Sequence, residues 1–312
     1  MAYGNKHAIK PSKERHDKMS PLTVVMLVLL AVYGILLLYI LYWGFITSLK
    51  EPWFEFGINK LGLPSDWSDG HYPFRNYVTV FNHLEATPGI KVDGVTQLLH
   101  IGFPQMLLNT VLYSIGGAFF NTLVPCITSY LCAKYRYKFS KVVYGTVLVV
   151  MMIPIVGSLA SEVQMAQNFG LYDSIFGMWI MKANFLGLYF LVFYEMFRSM
   201  PAALSEAAQI DGAGDLGIML RIAMPLAKNT FLTVLLINFV ALWNDYQTPL
   251  VYLPTHPTLA DQMYWIQSKS GELSPTPVKV AAAYILIIPT SALFIAFHNR
   301  LLGNLTIGGV KG

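Results

Sequence analysis

The sequence predicts an all-α, polytopic membrane protein with six transmembrane helices and a cytoplasmic loop that carries a short helix. Three observations predict this class: 55% of the 312 residues are hydrophobic, only 12% are charged, and the apolar residues lie in long runs. A soluble domain carries about twice that charged fraction. The stretch between Lys18 and Lys50 contains no charged residue, and roughly 20 apolar residues suffice to span a bilayer as a helix. Because lipid leaves unpaired backbone groups unsatisfied, and the runs do not alternate as barrel strands do, helices are expected.

Six apolar runs are expected to cross the membrane. The first is longer than the apolar core of about 7–15 residues in a secretory signal and lacks a small-residue cleavage site, so it is expected to remain as a span. The fourth contains Lys182 and Glu195. Since a charge at the bilayer centre costs roughly 2.5–3.5 kcal/mol, Lys182 is expected to extend toward an interface. The fifth ends near Asp245, which leaves its outer boundary open. The spans are expected at residues 21–47, 106–133, 142–165, 175–197, 228–252 and 280–299.

Lysine and arginine residues indicate the orientation of these spans. They cluster in the N-terminal tail, in the turn after span two, in the loop after span four and after span six, whereas the opposing loops carry fewer. Positive segments stay preferentially in the cytoplasm, so both termini are expected there. The chain is expected to divide into a cytoplasmic tail at 1–20, a transmembrane domain at 21–302 and a cytoplasmic tail at 303–312. Within the transmembrane domain, an external loop is expected at 48–105 and a permease core at 106–302, and this core includes a cytoplasmic loop at 198–227.

The external loop at 48–105 contains several proline, glycine and tryptophan residues, a composition typical of turns with aromatic contacts. It is expected to form a small external cap or an interfacial segment.

Several kinds of chemistry are excluded by the absence of their sequence motifs. The chain has no G-x4-G-K-[ST] phosphate loop, no HExxH zinc motif and no G-x-S-x-G elbow, so it is not expected to bind ATP or to be an enzyme. Cys126 and Cys132 lie in an apolar run and are expected to be small buried side chains; a metal pair is the remote alternative. The net charge of +4 is too modest to indicate a nucleic-acid partner.

The cytoplasmic loop at 198–227 reads as a helix, a bend and a second helix. Pro201 suits a helix start, because its missing N–H has no intrahelical partner there. Asp211 and Gly212 form a turn signal, since glycine adopts the left-handed conformation that ends helices. Pro225 then marks the entry to span five. On this pattern alone, a solvated loop, an interfacial helix and a helix that docks in a groove of another protein all remain open.

The residue spacing in this loop adds information. Glu206-Ala207-Ala208 is followed after three residues by Gly212, after nine more by Ile222, and after one more by Met224-Pro225. This pattern closely resembles the EAA loop of ABC-importer permeases, with Met224 where that family usually has leucine. Residues that match the resemblance are Glu206, Ala207, Ala208, Asp211, Gly212, Ile222 and Pro225.

The resemblance extends over about residues 74–312 and is closest to the carbohydrate-uptake branch, to subunits similar to the second membrane subunit of maltose-type importers. Its further matching segments are Phe74–Tyr77, Asn109-Thr110, Tyr130–Phe139, Met151–Pro154, Trp243–Tyr246 and Gly308–Gly312.

The resemblance implies a set of partners. Such a chain sits in lipid in a bacterial cell membrane and pairs with a second homologous permease. Two cytoplasmic ATPase subunits bind beneath them, and an extracytoplasmic solute-binding protein delivers a sugar or oligosaccharide. The helix around Glu206 would lie in a cleft of one ATPase subunit. ATP would bind to those subunits, so no cofactor is expected on this chain.

Two further segments are candidate sites. Trp243, Asn244, Asp245 and Tyr246 are expected either to present a stacking and hydrogen-bonding face to the solute or to anchor the helix at a membrane interface, where Trp and Tyr are enriched. In similar permeases the C-terminal tail reaches between the ATPase subunits, which would place the last candidates there; a frayed tail is the alternative. The tail candidates are Gly308, Gly309 and Lys311.

Two rival classes were weighed against an importer subunit. A secondary transporter driven by an ion gradient would usually show ionisable residues at the midplane and repeat symmetry. Only Lys182, Glu195 and Asp245 are candidates here, and no repeat is apparent. An intramembrane enzyme would need an inward-facing nucleophile–base or metal pair, and none is visible. The sequence therefore favours the importer subunit.

Overall fold

The computed structural model describes residues 20–65, 74–92, 95–135, 137–154 and 157–305, most of which are helical. The helices in chain order are α1 (Pro21–Ser48), α2 (Glu55–Ile58), α3 (Arg75–His83), α4 (Phe103–Lys134), α5 (Lys138–Met152), α6 (Leu159–Asn168), α7 (Ile175–Lys182), α8 (Leu188–Arg198), α9 (Ala202–Ile210), α10 (Asp215–Ile218), α11 (Met224–Trp243), α12 (Gln247–Tyr252), α13 (Leu259–Trp265) and α14 (Thr276–Leu305). A π turn occupies Met219–Ala223, and 3-10 turns occupy Ile266–Ser268 and Gly271–Leu273. The predicted all-α class is confirmed.

Within the described residues, four helical segments are long and apolar enough to cross a membrane: Pro21–Ser48, Phe103–Lys134, Asp215–Trp243 and Thr276–Phe297. They correspond to the predicted spans one, two, five and six. The helical segment of predicted span five begins before residue 228, because α10, the π turn and α11 run on as one segment. Pro225 does not interrupt it, since it lies in the first turn of α11, directly after the π turn.

The predicted spans three and four are not single helices. Residues 142–165 contain the end of α5 and most of α6, with a break between them. Pro154 has no N–H and forces the residue before it out of the helical region, and Ile153 is accordingly extended with ψ of 117°. Residues 175–197 contain α7 and α8, separated by a stretch that ends in the fully extended Gly187. Hydropathy does not register such breaks, so the sequence overestimated helix length here.

The segment between α1 and α4 forms a small folded unit. Its α3 helix is fastened to the end of α1 by Asn76, whose buried side-chain amide donates to the carbonyls of Ser48 and Lys50, each at 2.8 Å. The Tyr77 hydroxyl lies 2.8 Å from Ser48 Oγ. Two antiparallel strand pairs follow, β1 (Glu85–Ala86) with β4 (Ile101–Gly102) and β2 (Gly89–Val92) with β3 (Val95–Leu98).

Helix α4 is the centre of the bundle. It packs against α5, α7, α8 and α11, and half of its membrane-spanning window is buried, whereas that of α1 is not buried at all. Helix α1 meets the rest of the chain mainly along α14, where Tyr284 bonds to the carbonyl of Leu41 and lies against Gly44. Cys126 and Cys132 are both free and buried, as predicted. Helix α4 also contacts α3 and α13, so it links the loops at its start with the helices around it.

Candidate functional site

The loop at 198–227 folds as a helix ended by a left-handed glycine. Helix α9 is followed by Asp211 and then by Gly212 with φ of +84°. The Ala213 N–H donates to the carbonyl of Ala208 at 2.9 Å, and the Gly212 N–H donates to that of Gln209 at 3.0 Å. These two bonds form a Schellman cap, in which the residue at the Gly212 position has a positive φ. The predicted helix and glycine bend are therefore present.

Helix α9 lies across a groove from the ends of two bundle helices. Ala208 is its buried residue, and a groove of about 400 Å³ separates the rest of the helix from the ends of α4 and α8. Glu206 lines this groove, as do Tyr130 and Phe197, whose rings meet edge to face with centroids 5.2 Å apart. Lys134 at the end of α4 donates to the carbonyl of Met200 at 3.2 Å. The loop is thus coupled mechanically to α4 and α8.

A tyrosine and a carboxylate line the same groove where the loop meets the end of α4. Tyr135, directly after α4, lies close to the carboxylate of Asp215 at the start of α10. Burial raises the pKa of Tyr135 to about 12, and the charges of Tyr130 and Asp215 act in the same direction. The Tyr135 hydroxyl therefore stays a hydrogen-bond donor across the physiological pH range.

The outer surface of the loop is apolar where it meets solvent. The exposed fraction is 44% for Leu204, 86% for Ile210 and 65% for Leu216. Asp211 and Pro225 are also exposed, and Ile222 is half-buried. Several exposed large apolar side chains in one short segment are typical of a surface that another protein covers. The structure thus brings all seven loop candidates into one continuous segment.

The span-five candidates lie at a break between α11 and α12. Asp245 accepts hydrogen bonds there from the Tyr113 hydroxyl at 2.8 Å and from the Thr248 N–H at 3.0 Å. Lys182, at the end of α7, lies 3.6 Å from Asp245 and donates to the Thr248 hydroxyl at 3.2 Å. The broken helix pairs α7–α8 and α11–α12 therefore meet at an ion pair.

The neighbours of Asp245 differ in what they face. Trp243 is buried, and its indole N–H donates to the carbonyl of Leu286 in α14 at 3.1 Å, so it packs between helices. Tyr246 stacks on Tyr264 with ring centroids 5.5 Å apart and an interplanar angle of 9°. Asn244 is exposed, and its amide donates to the carbonyl of Val240.

A polar hollow of about 350 Å³ opens beside this break. Residues that the sequence reasoning missed complete it: Asn121 donates to Asn238 at 3.0 Å, and Asn238 donates to Thr122 at 3.0 Å, which links α4 to α11. Asn121 and Asn238 could have been noticed in the sequence, because each is an amide side chain within an apolar run. The residues that line the hollow are Asn121, Lys182, Asn238, Ala241, Leu242, Asn244, Asp245, Tyr246 and Gln247.

A second groove, of about 460 Å³, lies at the opposite end of the bundle from α9, between the β1 turn and the α12–α13 segment. Asp261 lines it and is 5% exposed; one of its carboxyl oxygens accepts from Gln262 at 3.2 Å, and the other has no hydrogen-bond partner. Burial raises the pKa of Asp261 to about 6. Nearby, the Asp173 carboxylate holds Thr255 through bonds of 2.9 Å and 2.7 Å.

The tail candidates Gly308, Gly309 and Lys311 lie outside the described residues. Among the residues that the structure describes, no group of three His, Cys, Asp or Glu side chains is placed to hold a metal ion.

Comparison with known proteins gives a family match over more than half of the chain. The sequence profile of the binding-protein-dependent transport system inner membrane component family matches residues 126–304, which include the α9 loop and the α11–α12 break.

Individual relatives are similar over most of their length. The diacetylchitobiose uptake system permease protein of Streptomyces coelicolor is 24% identical, over 90% of this chain and 86% of the relative. The melibiose/raffinose/stachyose import permease protein of Bacillus subtilis is 27% identical, over 64% of this chain and 77% of the relative.

Among solved structures, a chain from the crystal structure of a bacterial ABC transporter involved in the import of the acidic polysaccharide alginate matches with a TM-score of 0.68. It is 24% identical, and the match covers 93% of this chain and 99% of that one. This match shows a shared fold.

Proposed function

This chain belongs to the family of binding-protein-dependent transport system inner membrane components, and from that premise we propose that it is one of two permease subunits of an ATP-driven importer for a sugar or oligosaccharide. The observation that carries the proposal is the family match over residues 126–304. A member of this family is a transport component and not an enzyme. In this proposal ATP acts on separate ATPase subunits, and this chain binds no cofactor.

The solute class is supported by the relatives and by the hollow at the helix break. The relatives described above are named for the uptake of short saccharides. The hollow presents amide groups from Asn121, Asn244 and Gln247, which both donate and accept hydrogen bonds as sugar hydroxyls require. The charges of Lys182 and Asp245 cancel each other, so their ion pair gives the hollow no net charge. We propose that solute passes along this hollow, with Tyr246 as a stacking face and Trp243 as a packing residue behind it.

The coupling surface is proposed to be the α9 loop. Its exposed apolar side chains, Leu204, Ile210 and Leu216, would enter a cleft of an ATPase subunit, with Glu206 adding a charge at the rim. Movement of α9 would be transmitted to α4 through Tyr135 and Asp215. If α9 moves as a rigid element between the ATPase cleft and α4, its movement can switch the bundle between two packed states.

The remaining partners follow from the placement of the loops. With α9 and both termini in the cytoplasm, the groove near Asp261 faces outward, where a solute-binding protein would dock. A second homologous permease would cover the exposed faces of the bundle. The tail at Gly308, Gly309 and Lys311 is proposed to reach between the ATPase subunits. This orientation places the chain in the cell membrane as a multi-pass inner membrane component.

The proposal is tested with proteoliposomes that contain this chain together with the permease and ATPase subunits that co-purify with it. Labelled saccharide is supplied with a saccharide-binding protein from the same source, with and without ATP on the ATPase side. Uptake should require both ATP and the binding protein and should persist after the ion gradients are collapsed by ionophores. Uptake without ATP that is abolished by ionophores would instead establish a secondary transporter.

A further inference from the structure

A hollow of about 440 Å³ lies between the ends of α4, α5 and α8, beside the α9 groove and distinct from the solute hollow. It brings together side chains from three helices that are far apart in sequence. We propose that this hollow binds the phosphate-bearing headgroup of an anionic phospholipid. The inference does not depend on the solute or on the direction of transport, because it requires only that these helix ends lie at a membrane surface. The polar residues that line it are Tyr137, Ser140, Lys141, Tyr144, Tyr194 and Arg198.

The charge of the hollow favours an anion. Lys141 is exposed, and Lys138 begins α5 beside it. Arg198 lies 3.3 Å from Glu195, but both side chains are more than 60% exposed, so the pair is weak and most guanidinium donors stay available. Helix α5 also begins here without a side-chain cap, so its positive dipole end lies at the hollow. Basic pockets between helix ends are a recurring place for anionic headgroups.

Several hydrogen-bonding groups of the hollow are unused by the protein, although the Ser140 hydroxyl donates to the carbonyl of Tyr135 at 2.6 Å. Within the described part of the chain, neither the hydroxyls of Tyr137, Tyr144 and Tyr194 nor the Lys141 ammonium has a hydrogen-bond partner. The rings of Tyr144 and Tyr194 are nevertheless held together, with centroids 4.7 Å apart. Fixed rings with free hydroxyls, next to two cations, provide several donors for one phosphodiester.

The surroundings of the hollow favour a lipid over a soluble anion. Leu131 on α4 is 46% exposed and directly precedes the lining residue Cys132. An acyl chain attached to a headgroup in the hollow would cover such exposed apolar surface at the helix ends, which a soluble phosphate would leave uncovered.

The test uses the assembled transporter, with native mass spectrometry to count bound lipids during titration with dioleoyl phosphatidylglycerol or dioleoyl phosphatidylcholine. We expect the intact protein to bind the anionic lipid at least several-fold more tightly. Lys141→Gln with Arg198→Gln should reduce that preference about tenfold. Lys228→Gln, which removes an exposed positive charge outside the hollow, should leave it unchanged. An equal preference in the double variant and the intact protein would overturn the proposal.

Two further measurements separate lipid from other occupants. Tyr144→Phe with Tyr194→Phe keeps the ring contact and removes two donors, so it should weaken the anionic preference even if the charge variant fails to assemble. Inorganic phosphate at 10 mM should not displace the lipid, and displacement would mean a soluble-anion site. A cysteine at Ser140 should react with a thiol reagent in the assembled complex, and protection by the ATPase subunits would mean that a protein covers the hollow.

Discussion

The hydroxyl of Tyr113 lies 2.8 Å from a carboxyl oxygen of Asp245, which joins the middle of α4 to the point where α11 breaks. Lys182 approaches the same carboxyl oxygen at 3.6 Å from the end of α7. Three helices that hydropathy treats as independent spans are thereby held at one polar point. The two side chains are partly buried, with Lys182 28% and Asp245 18% exposed, so removing one partner leaves the other charge partly desolvated and without compensation.

We therefore expect Asp245→Asn to lower the melting temperature of the assembled transporter and its uptake rate. Tyr113→Phe should have a smaller effect, since it removes one hydrogen bond worth roughly 1.5–3 kcal/mol and leaves the ion pair in place. Adding Lys182→Met to the Asp245→Asn variant should recover part of the melting temperature that Asp245→Asn loses, because no unpaired charge then remains. Melting is followed by size-exclusion chromatography after heating. Additive losses in the double variant would show that the two side chains do not interact.

Gly212 provides a test of the coupling loop, with Gly214 as its matched control. A Cβ at either position would meet no atom within 4 Å, but only Gly212 has a positive φ, of +84°. Alanine at Gly212 should cost about 1–2 kcal/mol of backbone strain, whereas alanine at Gly214 should be tolerated. Asparagine at Gly212 should cost less backbone strain than alanine there, because asparagine enters the left-handed region more easily.

Gly212→Ala should lower ATP-driven uptake, and Gly212→Asp should uncouple or detach the ATPase subunits, while both variants still insert in the membrane. The measurements are co-purification of the ATPase subunits and solute uptake. Normal assembly and normal uptake in Gly212→Asp would contradict the role proposed for this loop.

Asp261 should make the outer loop sensitive to pH. Its pKa is raised by burial to about 6, so folding favours the protonated form. The stability contributed by that protonation is fully present below the unfolded value near 4 and is lost as the pH rises through 6. Asp261→Asn should therefore raise the melting temperature at pH 7 and change it little at pH 4. An equal gain at both values would mean that the carboxyl is not the titrating group.

Orientation can be tested by cysteine labelling, because both native cysteines are buried and should react slowly. A cysteine at the exposed Ser270, in the outer loop, should react with an impermeant thiol reagent in intact cells. A cysteine at the exposed Gln209, in α9, should react only after the membrane is opened. The reverse pattern would show that the charge distribution was misread.

Deletion of residues 308–312 should weaken coupling without preventing insertion, if the tail lies between the ATPase subunits. ATPase activity stimulated by the binding protein is the measurement. A matched deletion of five residues from the N-terminal tail serves as the control. Uptake at the intact rate in the C-terminal deletion would show that the tail, including Lys311, is not part of the coupling machinery.

The sequence by itself determined the helical membrane class, three of the long spans and the α9 loop. These features depend on local patterns: an uninterrupted apolar run for α1, and the spacing from Glu206 to Pro225 for the loop. The glycine bend at Gly212 was also predictable, since the conformation that glycine permits is a property of single residues.

The tertiary structure alone decided what surrounds these elements. It shows that the third and fourth spans are interrupted, because a single proline or an extended glycine changes the hydropathy of an apolar run very little. It also shows that Asn121, Lys182 and Asn238 line one hollow and that Trp243 packs between helices. The packing of α4 against several other helices sets these relationships, and contacts between residues more than 40 positions apart leave no periodic trace in one sequence.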